Sequence, residues 1–210
     1  LLGAEIALGR LQEIAAHRGG QEEDLRSFRR WWIVVALLIT TAGAMFGFQV
    51  ADTLLGASLL MLALWLLIFD AARFTLRRGG QASTSARALL GGFVWLAVAG
   101  CLMLTHGIPE SGWIRDAIMH SFFLGFILMM VFAHGPIIVP ALTPFRIRHH
   151  RYLDLPPILL TLGLVLRVAG DLGNHEPMRR WGGMVAALAL ALFALVALFL
   201  AERSLSRQHA

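Results

Sequence analysis

Residues 117–142 read AIMHSFFLGFILMMVFAHGPIIVPAL, an apolar run that holds two histidines and no Asp, Glu, Lys or Arg. A helix needs about 20 such residues to cross the ~30 Å hydrocarbon core of a bilayer. Five further apolar runs lie at residues 31–50, 53–72, 88–105, 155–172 and 181–201. The sequence therefore predicts an all-α, polytopic membrane protein with a bundle of six transmembrane helices.

The composition of the whole chain agrees with this class. Of its 210 residues, 58% are apolar and 15% are charged, whereas a soluble domain has about 45–50% and about 25%. All 18 basic residues are arginine and lie between apolar runs, where membrane topology explains them better than nucleic-acid binding. One cysteine, Cys101, excludes internal disulfides, C-x-x-C-H haem attachment and Cys-ligated iron–sulfur clusters. The expected partner is the lipid bilayer, and any redox cofactor would depend mainly on histidine.

The arginines also predict the orientation. Fourteen lie on one side of the predicted membrane, whereas Arg115, Arg179 and Arg180 lie on the other. The positive-inside rule therefore places both termini in the cytoplasm. Residues 1–30 carry apolar positions at helical spacing and predict an amphipathic interfacial helix. Residues 31–201 then form the membrane domain, and residues 202–210 form a cytoplasmic tail.

Histidines inside the spans are candidates for function, because ionisable groups are costly in lipid. His120 and His134 are 14 residues apart, which in a regular α-helix places them within ~40° of one face and ~21 Å apart. Two histidines so placed resemble the arrangement in di-haem cytochromes b. Each haem would need a second histidine, from His106 at the outer end of the third span or from His149 or His150 past the fourth. The alternative for His134 is a hydrogen-bonding role at a helix interface.

Arg167 and Asp171 form an i,i+4 pair near the outer end of the fifth span. Arginine before the acid is the less favourable order in an isolated helix, so helix stabilisation does not explain the pair. Arg167 either snorkels to a lipid headgroup or clamps a buried anion, such as a haem propionate or a substrate oxygen. Because the fourth and fifth spans run in opposite directions, His120, Arg167 and Asp171 are predicted to share the outer half of the membrane.

Three local features predict how the spans are joined and packed. Ala51-Asp52 is the only connection between the first two spans and predicts a tight turn. The fourth span is long, which predicts either a tilt or a bend at Pro136 and Pro140. The pair Gly183-x-x-x-Ala187 predicts close packing between helices.

Residues 113–172 carry three short motifs. His120 precedes a Phe-Leu-Gly-Phe run, His134 follows on the same helix, and Leu166-Arg167 lies in the next one. These motifs resemble those of the NnrS family of bacterial membrane proteins. NnrS proteins are connected with nitric oxide and nitrosative stress and are associated with haem and copper, and they have more spans and more membrane histidines than this chain. The resemblance implies a bacterial inner-membrane location and a haem b or copper role for His120 and His134.

These features together predict a membrane redox protein that binds haem b or copper, in electron transfer or nitrogen-oxide-related metabolism. His120 would be an axial ligand and His134 a second-site ligand, with Arg167 and Asp171 beside the cofactor. The alternative is a non-catalytic structural or assembly subunit of a larger membrane complex, which the shortage of paired histidines favours. A transporter or sensor with a pH-responsive histidine is a third alternative. Partner membrane subunits or a redox protein are expected, and whether the chain is an enzyme stays open.

Overall fold

The computed structural model describes residues 49–142 and 151–206, and every regular element within those ranges is helical. In chain order, the α-helices are α1 (Gln49–Phe69), α2 (Ala72–Thr75), α3 (Gly80–His106), α4 (Trp113–Met119), α5 (Met129–Leu142), α6 (Leu155–Leu172) and α7 (Glu176–Ser206). A π-helix (His120–Leu128) joins α4 to α5, and short 3-10 turns (Leu76–Arg78 and Arg151–Asp154) precede α3 and α6. The predicted all-α class is confirmed for this part of the chain.

Five helices are long and apolar enough to cross a membrane. They cover Asp52–Phe69, Gly80–His106, Trp113–Pro136, Tyr152–Leu172 and Glu176–Ala197, and they correspond to the second to sixth predicted spans. The amphipathic segment, all but the last two residues of the first predicted span, and the last four residues of the tail lie outside the described residues. The count of six spans and the side of each terminus stay predictions.

Helix α1 has different bounds from those predicted. The predicted turn at Ala51-Asp52 is wrong, because both residues lie within α1. Asp52 is in the first turn of this helix, where the helix dipole favours a negative charge. The helix ends at Phe69 because the Asp70 carboxylate accepts a hydrogen bond from the amide of Ala72 at 2.7 Å, a local bond that competes with helix continuation.

Glycines allow α1 and α3 to meet at backbone distance. A Cβ atom on Gly56 would lie 2.6 Å from the amide nitrogen of Leu104. A Cβ atom on Gly100 would lie 2.7 Å from the amide nitrogen of Leu60. Any larger residue at either glycine would push the helices apart, so this crossing fixes α1 against the bundle.

Helices α6 and α7 make a similar contact, but one residue away from the predicted pair. Gly182 and Ala186 of α7 are buried, and a Cβ atom on Gly163 of α6 would lie 2.9 Å from the Gly182 carbonyl oxygen. In the predicted pair, Gly183 is half-buried and Ala187 is exposed. The contact holds the first turns of α7 against the last turns of α6.

The fourth span departs from α-helical geometry. Its nine residues His120–Leu128 form a π-helix, which usually occurs only as a single-turn bulge. The Trp95 side chain packs on Gly125 so closely that a Cβ atom there would lie 2.5 Å from the Trp95 Cβ. Helix α5 continues through Pro136 and Pro140, so the departure from α geometry lies upstream of the two prolines.

Apolar side chains cover both the interior and the exterior of the bundle. The largest fully buried ones come from α3 to α6 and include Leu96, Ile118, Met129, Leu160 and Leu164. Other large apolar side chains on α1 and α7 point outward and are about half exposed or more, namely Leu64, Ile68, Trp181, Met184, Leu188 and Leu195. This distribution suits a helix bundle whose surroundings are hydrocarbon.

Candidate functional site

Charged side chains gather where the start of α4, the end of α6 and the start of α7 meet. We term this group the polar cluster, and its members are Trp113, Asp116, His120, Arg167, Asp171, Glu176 and Arg179. The sequence predicts that this end of the bundle lies on the outer side of the membrane. The predicted grouping of His120, Arg167 and Asp171 is therefore present in the structure.

Arg179 is the centre of the polar cluster. Its Nε donates a hydrogen bond to Asp171 Oδ1 at 2.6 Å, and its Nη2 donates to Asp116 Oδ2 at 2.6 Å. Its Nη1 donates to Glu176 Oε2 at 3.1 Å, and the guanidinium stacks over the Trp113 ring at 4.4 Å. One guanidinium thus uses its planar fork to join three helices, a geometry that a lysine could not reproduce.

Asp171 and Arg179 each lie at the unfavourable end of their helices. Asp171 is the penultimate residue of α6, where the negative end of the helix dipole disfavours a carboxylate, and Arg179 is in the first turn of α7, where the positive end disfavours a cation. Asp171 is also 2% exposed, so its charge has little access to solvent. Each residue compensates the other, and this double mismatch is the sequence signal by which Arg179 could have been found.

Arg167 is held more loosely than Arg179. Its Nη2 lies 3.5 Å from Asp116 Oδ2, and its Nε lies 3.8 Å from Asp171 Oδ2, whereas charge-assisted hydrogen bonds are usually ~2.7–2.9 Å. The buried atoms Arg167 Nε and Asp171 Oδ2 have no hydrogen-bond partner among the described residues. The Arg167 side chain is only 20% exposed, so it lies in the cluster rather than snorkelling to a headgroup.

His120 lies half-buried at the first position of the π-helix. Its Nδ1 is 2.7 Å from the carbonyl oxygen of Asp116. Because a carbonyl oxygen can only accept, Nδ1 is the donor in this hydrogen bond, and Nε2 is the ring nitrogen that the bond leaves free. The ring is also near enough to interact electrostatically with the Asp171 carboxylate.

His134 and His106 lie apart from the polar cluster. His134 is exposed, and its Nδ1 is 2.9 Å from the Met130 carbonyl oxygen. His106 is exposed at the end of α3, with its Nδ1 2.7 Å from Thr105 Oγ1. The prediction that His120 and His134 share a face assumed a regular α-helix, whereas the π-helix places more residues in each turn and rotates everything after it.

The charges of the polar cluster are balanced when Arg180 is included. Arg180 Nε bonds Glu176 Oε1 at 2.9 Å, so the three guanidiniums of Arg167, Arg179 and Arg180 face the three carboxylates of Asp116, Asp171 and Glu176. Of the three guanidiniums, that of Arg167 has the longest contacts with carboxylates.

Metal ligands do not cluster in the part of the chain that the structure describes. Within residues 49–142 and 151–206, no group of three or more His, Cys, Asp and Glu side chains could hold a metal ion. His149 and His150 lie outside those ranges. A metal or haem at His120 would thus take its other ligands from elsewhere.

The fold and the site together define a class. The described chain is an all-helical bundle with five helices long and apolar enough to span a membrane, an architecture compatible with a multi-pass membrane protein. It carries a cluster of charged side chains at one end, of which Asp171 is buried. The chain belongs to the family described as "Domain of unknown function (DUF8744)", whose model matches residues 6–202. No curated protein and no solved structure matched the sequence.

Proposed function

We propose that this protein is a membrane redox protein that binds haem b or copper through His120 and works in electron transfer or nitrogen-oxide-related metabolism. The proposal places it in the bacterial inner membrane with both termini in the cytoplasm. The observation that carries it is the hydrogen bond of the His120 ring, whose Nδ1 is bonded to the backbone carbonyl of Asp116 in the polar cluster. The resemblance to NnrS proteins supports the same chemistry.

The hydrogen bond at Nδ1 suits a ligating histidine. Metal-bound histidines almost always donate their second ring N–H to a carbonyl or carboxylate, which fixes the tautomer and orients the ring. The Asp116 carbonyl supplies such an acceptor at 2.7 Å. His120 Nε2 is then the atom that would bind iron or copper, because Nδ1 is already bonded to the Asp116 carbonyl.

Arg167 and Asp171 would serve the anionic edge of the cofactor. A haem propionate could bind the Arg167 guanidinium in a two-point contact, since Arg167 Nε has no hydrogen-bond partner among the described residues. Asp171 would stay bonded to Arg179 at 2.6 Å and keep the local charge balanced. Arg167 is therefore the residue that we expect to set cofactor affinity, while Arg179 holds the helices together.

His134 fits a second site, separate from that of His120. It is exposed, with its Nδ1 held by the Met130 carbonyl, and its ring is accessible to a group supplied by a partner membrane subunit or redox protein. His106 is accessible at the same end of the bundle as His120.

Absorption spectroscopy with metal analysis tests the proposal. The purified protein should show a Soret band or bound copper, and His120→Ala should lose it. Arg167→Gln should weaken cofactor retention without removing the ligand. The control is His175→Asn, since His175 Nδ1 accepts only a 3.3 Å bond from the Met178 amide and asparagine can still cap that helix. A colourless, metal-free and well-folded wild type would refute the proposal.

A second candidate is a non-catalytic structural or assembly subunit of a larger membrane complex. The balanced polar cluster favours it, because three guanidiniums facing three carboxylates can serve purely to lock α4, α6 and α7 together. In that case the protein should be recovered only with partner subunits. A stable, cofactor-bound monomer in detergent would exclude this candidate.

A further inference from the structure

A groove lies at the end of the bundle opposite the polar cluster. It has a volume of about 550 Å³ and runs between the end of α1, the 3-10 turn Leu76–Arg78 and the first half of α3. Small-molecule sites commonly measure ~300–1,000 Å³. The groove is therefore large enough to hold part of a ligand.

Two arginines form the polar end of this groove. Arg73 and Arg77 both line it and are exposed, and they lie four residues apart along the short helical segment. Among the described residues neither arginine has a carboxylate within 4 Å. Asp70, the acid next in sequence, accepts a hydrogen bond from the amide of Ala72. The groove thus presents two positive charges that no described side chain neutralises.

The remainder of the groove is apolar and belongs to the membrane spans. Leu67 lies in the span Asp52–Phe69, and Leu90 and Val94 lie in the span Gly80–His106. Phe74, beside the arginines, is 73% exposed, which is typical of an aromatic side chain at a membrane interface. The cations are therefore at the boundary of the hydrocarbon and the apolar wall is within it.

This layout matches one kind of molecule. We propose that the groove binds an anionic phospholipid, whose phosphate contacts Arg73 and Arg77 and whose acyl chain lies along Leu90, Gly91 and Val94. Arginine pairs bind phosphate oxygens well, and basic pockets between helices on the cytoplasmic side bind anionic headgroups. A free phosphate would leave the apolar wall uncovered. The site is independent of the cofactor proposed above.

Gly91 permits a steric test of the acyl-chain position. It lines the groove, and a Cβ atom built on it would meet nothing within 4 Å. Gly91→Leu would therefore fill the groove without disturbing the helix, because leucine is also a better helix former than glycine.

Native mass spectrometry of the full chain in mild detergent measures the site directly. Phosphatidylglycerol and phosphatidylcholine are titrated separately onto the delipidated protein. Each arginine near an anionic lipid is worth about five-fold in affinity, so Arg73→Gln/Arg77→Gln should weaken phosphatidylglycerol binding about 30-fold. Gly91→Leu should weaken both lipids, because it blocks the acyl chain rather than the headgroup.

The control variant removes the same charge elsewhere. Arg180→Gln at the opposite end, where the Arg180 side chain is 76% exposed, should leave lipid binding unchanged. Equal affinity for the two lipids, or unchanged binding in the double variant, would overturn the proposal. Inorganic phosphate that binds as tightly as phosphatidylglycerol and is unaffected by Gly91→Leu would assign the arginines to a free anion and would also overturn it. Thermal melting of each variant separates lost binding from lost folding.

Discussion

The two ends of the bundle each hold an arginine bonded to an aspartate on another element, but the environments of the two pairs differ. At one end, Arg179 bonds Asp171, which is 2% exposed. At the other end, Arg87 Nη2 lies 2.7 Å from both carboxylate oxygens of Asp154. The side chains of Arg87 and Asp154 are 48% and 23% exposed. The bond lengths are similar, so a difference in what the two pairs contribute to the free energy of unfolding must come from their access to solvent.

If Asp154 were removed from the exposed pair, other groups could still bond to Arg87. Arg87 Nη1 also donates to Ser83 Oγ at 2.7 Å, and water can reach its guanidinium. In contrast, the buried atoms Arg167 Nε and Asp171 Oδ2 have no hydrogen-bond partner among the described residues and lie 3.8 Å from each other. A substitution at the polar cluster would therefore strand a charge, whereas a substitution at the Arg87 end would not.

The largest expected effect is that of Asp171→Ala. Removing one partner of a buried pair leaves an uncompensated charge and costs about 3–5 kcal/mol. We expect the free energy of unfolding in detergent to fall by that amount, as measured by denaturant titration followed by tryptophan fluorescence. A loss as small as that of an exposed pair would mean that water reaches the polar cluster.

A double variant tests whether the stranded charge is the cause. Asp171→Leu/Arg179→Met removes one charge of each sign and leaves Arg167, Arg180, Asp116 and Glu176 in balance. Replacing a buried ion pair by apolar residues is often nearly neutral, so the double variant should recover at least half of the stability lost in Asp171→Ala. If the stability losses of the single variants Asp171→Leu and Arg179→Met simply add in the double variant, the pair acts through packing rather than charge.

The helix contact beneath the polar cluster gives an intermediate effect. A Cβ atom on Gly182 would collide with the backbone of Arg167 and lie 2.7 Å from the Gly163 carbonyl oxygen, so Gly182→Ala should cost about 1–3 kcal/mol. Thermal denaturation measures the effect. Gly91→Ala is the matched control, since it has open space and should be stabilising by up to about 1 kcal/mol.

The smallest effect is expected at the exposed pair. Arg87→Gln should cost about 0.2–1 kcal/mol, and the loss should shrink in 1 M salt, where the Debye length is about 3 Å. Asp154→Asn should lower the free energy of unfolding by a similar amount and with the same dependence on salt. A salt-independent loss from Arg87→Gln equal to that from Asp171→Ala would show that the two ends are equivalent.

The sequence predicted the part of the site that depends on one helix. Arg167 and Asp171 are four residues apart, so their proximity follows from helical geometry alone, and the opposed directions of neighbouring spans brought in His120. Arg179 and Asp116 were missed because they are 63 residues apart. Asp116 lies in α4 and Arg179 in α7, so their contact depends on how these helices pack in the bundle, which hydropathy does not specify.

The sequence also failed to predict which small residues of α7 pack against α6, for a related reason. Gly182 and Gly183 are adjacent, and each has an alanine four residues later, so the sequence offers two equivalent small-residue pairs. Only the contact with Gly163 decides that Gly182 faces α6. The bounds of the helices were similarly displaced where polar residues end or extend them, as at Asp70.

The π-helix makes the fourth span behave as two segments with independent angular phase. In an α-helix each residue advances the side-chain direction by ~100°, so positions many turns apart keep a fixed relation. Nine residues of wider turn between His120 and Met129 break that relation. The face that carries His134 is therefore set by the length of the π-helix, and restoring regular α geometry there would rotate α5 while leaving the polar cluster in place.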